Sequence, residues 1–235
     1  MKCNKCGATL TDSSFFFFFG TNVKIYKKLI STSNALYNRG LEKAQVRDLS
    51  GARDDLKNSL KVYKKNIQAR NLLGLVYFEM GDVVAALSEW IVSKNYQPED
   101  NVADTYIEAV QKNAGKLDAY NIAFKKYNQS LLHARQGSLD LAIIQLKKVL
   151  SMNPRFLQAH QLLALLYINS QEWEKAKKEL EKCLKIDTNN TITLRYMKEV
   201  QAMLPTEEER GKKKKEAIVY QSGNDTVIQP VGKKD

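Results

Sequence analysis

The fold is most clearly encoded in residues 67–100, IQARNLLGLVYFEMGDVVAALSEWIVSKNYQPED. Leu73 and Tyr77 begin one apolar stripe at helical spacing, and Ala86 and Trp90 begin a second. A glycine–aspartate pair separates the stripes, and a proline closes the second one. The segment is therefore predicted to form two helices joined by a tight turn.

The composition favours the same structural class for the whole chain. The 235 residues contain only 4 prolines and 11 glycines, too few for an all-β protein that turns about every ten residues. Lysine and arginine (37) outnumber aspartate and glutamate (26), which leaves a net charge of +11. This charge permits acidic partners without identifying one.

The two-helix pattern recurs with a period of 34 residues. Ala52 and Ala86 are separated by this interval, and so are Ala142 and Ala176. Gly74 stands at a position where two helices must cross closely and a larger side chain would hold them apart. The predicted units are residues 33–66, 67–100, 123–156 and 157–190.

At these positions the chain resembles tetratricopeptide repeat (TPR) proteins. Their signature is a leucine, a small residue and a tyrosine on the first helix, an alanine and an aromatic on the second, and a closing proline. The resemblance implies an all-α fold, a right-handed superhelical solenoid of antiparallel helix pairs that acts as a non-enzymatic scaffold for protein binding. We expect the solenoid to run from 23 to 204, with an inserted helix in 101–122 and a capping helix at 191–204. The polar, charged residues 205–235 are predicted to form a disordered tail.

The amino-terminal segment 1–22 carries half of a metal-binding pattern. Cys3 and Cys6 are spaced so that both sulfurs could face one metal, but a structural zinc takes four ligands. Phenylalanines Phe16 and Phe19 stand where a second such pair would place its cysteines. The segment thus resembles the zinc ribbon of bacterial zinc-ribbon/TPR fusions in degenerate form. Two readings stay open: a zinc site completed by a second chain, or a vestigial ribbon that binds no metal.

The sequence offers no catalytic pattern. It has no phosphate-cradling glycine loop, no HExxH and no nucleophile elbow, so we predict a protein that is not an enzyme. No cofactor is predicted, with zinc at Cys3 and Cys6 as the open alternative. Cys183 shares a small packing position with Ser59, Ser93 and Val149, which favours a buried core thiol. The odd number of cysteines is not that of a disulfide framework.

The longest apolar run, Phe15 to Phe19, is too short to cross a bilayer or to serve as a secretory signal. A cytoplasmic protein without a membrane segment is therefore expected. The same run suggests a second use, self-association into a homodimer.

The first helix of every unit is expected to line a concave groove that binds a peptide or helix of a partner protein. Its outward positions are mostly apolar, with several amides that could pair with a peptide backbone. The predicted groove residues are Tyr37, Leu41, Asn71, Leu75, Phe78, Tyr127, Leu131, Arg135, Gln161, Leu165 and Ile168. The alternative for each is packing between neighbouring hairpins.

A second class of function, nucleic-acid binding through the basic surface and the amino-terminal cysteines, is less favoured. Arg135 alone lies among the aromatic side chains of the predicted groove, whereas a nucleic-acid site interleaves several cations with them.

Overall fold

The computed structural model describes the backbone of residues 12–112 and 114–205, and the side chains of 23–112 and 115–205. These residues form ten α-helices and no strands, which confirms the all-α prediction. The helices are α1 (Asp12–Gln45), α2 (Leu49–Val62), α3 (Ile67–Glu79), α4 (Val83–Tyr96), α5 (Ala103–Gln111), α6 (Ala114–Arg135), α7 (Leu139–Met152), α8 (Leu157–Asn169), α9 (Trp173–Ile186) and α10 (Thr191–Met203).

The helices pack as hairpins of consecutive helices. α1 packs on α2, α3 on α4, α6 on α7 and α8 on α9. The expectation of stacked antiparallel helix pairs is confirmed, although α1 and α6 begin before the predicted units, at Asp12 and Ala114. α5 lies in the predicted insertion, and α10 packs on α9 after the last hairpin.

Local sequence explains where these helices begin and turn. Asp82 accepts a hydrogen bond from the Ala85 amide at the start of α4, and Asn66 does the same for Ala69 in α3. The turns between paired helices each contain a residue of positive φ. These residues are Arg47, Gly81, Gly137 and Gln171, with φ values of 60°, 77°, 78° and 57°.

The small residues of the repeat allow close helix crossings, as predicted. A Cβ atom at Gly74 would overlap the indole of Trp90. That indole is 1% exposed, and its N–H donates a hydrogen bond to the Asn71 carbonyl at 3.1 Å. The pair therefore fixes the crossing of α3 and α4.

The chain reverses after α4, so that the second half (α6–α10) packs against the first half (α1–α4) at a half-to-half junction. The Leu157 amide donates to the Met80 carbonyl at 3.0 Å, and the Thr188 amide donates to the Arg47 carbonyl at 3.0 Å. Asn153 Nδ2 donates to the Gly81 carbonyl at 2.7 Å. The turns of the first half thus meet the loops between repeats of the second half, and α3 ends where α8 begins.

A buried carboxylate strengthens this junction. Asp187, which is fully buried, accepts hydrogen bonds from the backbone amides of Leu49 at 2.9 Å and Ser50 at 3.2 Å. These amides lack acceptors within α2 because they belong to its first turn. A residue at the end of α9 therefore caps α2, 138 positions away in sequence.

α6 is longer than the other helices of the second half because its first two turns reach back to the first half. Leu117 and Tyr120 pack against a core cluster that contains Val83 and Trp90. Its remaining turns pair with α7. α6 thereby spans the junction from one half to the other.

α1 extends well beyond its partner helix. It has 34 residues, whereas α2 has 14, and Tyr26 lies opposite the end of α2 because its hydroxyl is 3.0 Å from that of Tyr63. Residues 12–22 of the predicted ribbon-like segment continue this helix, so the structure does not support a ribbon there. Cys3, Cys6 and the predicted tail from residue 206 lie outside the described residues.

Candidate protein-binding surface

A leucine recurs at the same position of the first helix in all four hairpins. The four residues are Leu41, Leu75, Leu131 and Leu165. Each is half-buried, so part of every side chain remains accessible. Leu75 packs against a core cluster, whereas the clusters formed by the described residues do not include the other three. Three of the four positions thus present apolar area that the core does not use.

Three predicted groove residues of the first half contribute to packing. Tyr37 packs against the cluster that α2 and α3 form, and Phe78 lies with its ring centroid 6.2 Å from that of Trp90. Leu75 contacts the same cluster as Phe78, where α5 and α6 cover the second hairpin. All three are half-buried, and most of each side chain packs against the protein.

Asn71 is directed into the protein. Its side chain is 6% exposed and its Nδ2 donates to Asn101 Oδ1 at 2.9 Å. Asn101 in turn donates to Ser93 and to the Gln97 carbonyl, so Asn71 ties α3 to the loop before α5. The Nδ2 of this amide is therefore occupied by the fold, and its Oδ1 is buried without a hydrogen-bond partner.

Two predicted groove residues of the second half also reach the core. The Tyr127 ring centroid is 4.9 Å from that of Phe156, and Ile168 packs against the same cluster. Burial, together with the nearby Asp82 carboxylate, raises the pKa of Tyr127 above its usual value. The hydroxyl therefore stays neutral at physiological pH.

Gln161 is hydrogen-bonded within the protein, whereas Arg135 is exposed to solvent. Gln161 Nε2 donates to Asn190 Oδ1 at 3.1 Å and to Thr193 Oγ1 at 3.0 Å, which ties α8 to the start of α10. Arg135 is exposed at the end of α6. Of the two, only Arg135 extends into solvent.

A cleft of about 320 Å³ opens at the half-to-half junction, beside Gln161. Met80 and Leu157 form part of its wall, and amide and charged side chains complete it. These further lining residues include Lys43, Asp48, Arg53, Asp54, Gln158 and Asn189. Both signs of charge are present, so the cleft suits a peptide segment with polar groups better than a purely anionic ligand. The sequence pattern does not reveal it because its walls come from segments distant in sequence, which include Met80 and Leu157.

The ionisable groups of the core serve the fold. His160 Nδ1 lies 2.6 Å from Glu179 Oε2, and His160 Nε2 lies 2.9 Å from the Pro154 carbonyl. Burial alone would raise the pKa of Glu179, but hydrogen bonds from His160 and Lys182 outweigh it and lower that pKa. The two ring nitrogens thus face one acceptor on α9 and one in the loop before α8.

Cys183 is fully buried, which confirms the prediction of a core thiol. Burial raises its pKa to about 12, so the thiolate that a nucleophile requires does not form near neutral pH. Among the described residues, no group of three or more His, Cys, Asp or Glu side chains is arranged to hold a metal ion.

None of the helices that the structure describes is both long and apolar enough to cross a membrane.

A model of the tetratricopeptide repeat family matches residues 133–199, which comprise the end of α6 through α10. This match and the repeated hairpins support a helical-repeat protein. More particularly, residues 133–199 are similar to tetratricopeptide repeats. No curated protein matches the chain.

Several solved structures are similar to the chain at low identity. A crystal structure of MamA is 18% identical, with coverage of 85% of this chain and 98% of that chain and a TM-score of 0.36. YrrB, described as a TPR protein with an unusual peptide-binding site, is 18% identical, with coverage of 69% and 90% and a TM-score of 0.32. A tetratricopeptide repeat protein from Parabacteroides merdae is 17% identical, with coverage of 83% and 68% and a TM-score of 0.30.

Proposed function

We propose that this protein is a non-enzymatic cytoplasmic scaffold that binds an extended peptide or a helix of a partner protein on the face of its first helices. The observation that carries the proposal is the leucine repeated at one position of α1, α3, α6 and α8. Partly exposed apolar side chains at equivalent positions of the first helices suit a partner that presents apolar residues.

The packing of the other predicted groove residues narrows the recognition surface. The amides of Asn71 and Gln161 already bind partners within the chain, so they support the fold and leave peptide contacts to other groups. We assign the apolar contacts to Leu41, Leu131 and Leu165. Polar contacts fall to the junction cleft, where Gln158 is half-buried.

The test starts from peptides selected on the intact protein from a displayed random library. The selected peptides are then measured against a variant carrying Leu131→Ala and Leu165→Ala. Removal of two apolar contacts of about 1 kcal/mol each should weaken binding roughly 30-fold. The full chain is used throughout, because each half packs against the other.

The matched control carries Leu141→Ala and Ile144→Ala on α7, a second helix of its hairpin. These side chains are 52% and 50% exposed, so the control removes exposed apolar area from a different helix. Its binding should equal that of the parent. Equal weakening of both variants, or of neither, would show that the first-helix face is not the binding surface.

The nucleic-acid alternative is tested by measuring RNA binding of the intact protein and of the variant with Leu131→Ala and Leu165→Ala. A complex with RNA that weakens steeply as salt rises, and that ignores the leucine substitutions, would replace the peptide proposal by phosphate binding.

A further inference from the structure

The amino-terminal part of α1 is an unpartnered helix with an apolar side and a basic side. Val23, Ile25, Tyr26 and Leu29 are between 41% and 58% exposed, which is unusual for four large apolar side chains within seven residues. They lie at the end of the hairpin, where α2 has already stopped. The helix continues from there to Asp12, about 15 Å further at 1.5 Å per residue.

Charge is segregated on the same helix. At 100° per residue, Lys24, Lys27 and Lys28 fall on one half of the helix circumference, and the four exposed apolar residues fall on the other half. Residues 13–41 contain no aspartate or glutamate that could neutralise these lysines. The sequence of the helix also includes the phenylalanine run 15–19.

Further lysines lie close to this part of α1. Tyr26 contacts Tyr63 through their hydroxyl groups, and Lys64 and Lys65 follow directly in the loop after α2. Both lysines are exposed. The apolar side of α1 therefore has cations near it on the body of the protein as well as on its own helix.

We propose that residues 15–30 of α1 bind the surface of an anionic membrane and lie in the plane of its interface. An amphipathic helix with lysines on its polar side buries its apolar side at the boundary of headgroups and acyl chains. Anionic headgroups would supply an opposite charge to Lys24, Lys27 and Lys28, for which α1 has no acidic residue between positions 13 and 41. The surface so defined is the membrane-binding segment.

The charge of the segment decides between a membrane and a second copy of the chain. A second copy of the segment would bring the same three lysines and no acidic residue, so it would offer no opposite charge to the lysine side. An anionic bilayer covers the same apolar area and offers the opposite charge. This argument is independent of the peptide-binding face, which lies on other residues.

The test is flotation of the full chain with phosphatidylcholine vesicles, with and without phosphatidylglycerol. We expect binding to the vesicles that contain phosphatidylglycerol, reduced by high salt. Replacement of Lys24, Lys27 and Lys28 by glutamine should weaken binding about 100-fold, because each lysine near an anionic surface contributes about fivefold. Ile25→Asp with Leu29→Asp should abolish it.

Matched controls occupy α7 and α9. Lys147, Lys148 and Lys178, all exposed, are replaced by glutamine to remove the same net charge. Leu141→Asp with Ile144→Asp places two acidic groups at equally exposed apolar positions. Both controls should bind like the parent.

The remaining outcomes overturn the proposal. If the parent ignores anionic vesicles, or if the α1 variants and the controls bind equally, the segment does not bind membranes. If sedimentation without lipid shows a dimer that Ile25→Asp with Leu29→Asp dissociates, a second copy occupies the segment instead.

Discussion

Substitution of the glycines in two equivalent turns measures how much the half-to-half junction contributes to the free energy of unfolding. Gly81 and Gly137 occupy the same position in the second and third hairpins, and their φ values are 77° and 78°. A Cβ atom at Gly81 would overlap the backbone carbonyl of Arg155, whereas a Cβ atom at Gly137 would meet nothing within 4 Å. Gly81→Ala and Gly137→Ala therefore impose the same backbone strain but differ at the junction.

The expected magnitudes follow from these environments. An alanine with positive φ costs about 1 kcal/mol relative to glycine, and this is the whole cost expected for Gly137→Ala. Gly81→Ala must also displace a backbone segment, since the obstacle is not a flexible side chain. That displacement threatens the hydrogen bonds from Leu157 to Met80 and from Asn153 to Gly81, each of which contributes about 1 kcal/mol. Gly81→Ala should therefore destabilise the protein by about 3 kcal/mol.

The assay is equilibrium unfolding in urea, followed by far-ultraviolet circular dichroism, for the parent and both variants. The prediction concerns the difference of about 2 kcal/mol between the variants, in which the shared strain cancels. An altered slope or a second transition in Gly81→Ala would show that the halves have uncoupled, as expected for a weakened junction. Equal destabilisation by the two substitutions would refute the packing of Gly81 against the second half.

Three further predictions concern buried polar groups. Asp187→Ala removes the acceptor of two backbone amides in the first turn of α2 and should cost about 3 kcal/mol in urea unfolding, with Asp187→Asn costing less. The lowered pKa of Glu179 means that its contribution is present above the unfolded-state value of about 4.3 and is lost as pH falls through the lower folded-state value. The free energy of unfolding of Glu179→Gln should therefore decrease less than that of the parent as pH falls, as measured by urea unfolding at several pH values. An identical pH dependence in the two proteins would contradict the role of the contacts of Glu179 with His160 and Lys182. Cys183, with its pKa raised to about 12, should not react with a thiol reagent in the native protein and should react fully in urea, in a variant whose other two cysteines are serines.

The features that the sequence predicted depend on short-range periodicity. The positions of Leu73, Gly74, Ala86 and Trp90 predict two helices and their crossing, because each contact lies within one 34-residue unit. The structure confirms the hairpins and the Gly74–Trp90 contact. Sequence also predicted a buried Cys183 from its alignment with other small residues. Periodicity identifies these environments because the repeat copies them.

The candidate site was less predictable because its surroundings are not repeated. Gln161 has the register of a groove residue, yet it donates to Asn190 and Thr193 at the start of α10, which exists only after the last hairpin. Asn71 likewise bonds to Asn101 in the loop that leads to the inserted α5. In both cases the acceptors lie in the segment that follows the second helix of the hairpin. The register of the first helix alone does not identify such an acceptor.

The four turns illustrate how one local structure acquires different roles. Arg47, Gly81, Gly137 and Gln171 all have positive φ, so the turn itself tolerates residues with side chains. The Arg47 and Gly81 carbonyls accept hydrogen bonds from the second half, whereas Gly137 faces open space. Glycine is thus required by sterics at Gly81, where another backbone approaches, whereas at Gly137 the positive φ favours glycine without requiring it. The distinction depends on the reversal of the chain after α4, which joins turns of the first half to loops of the second and forms the cleft beside Gln161.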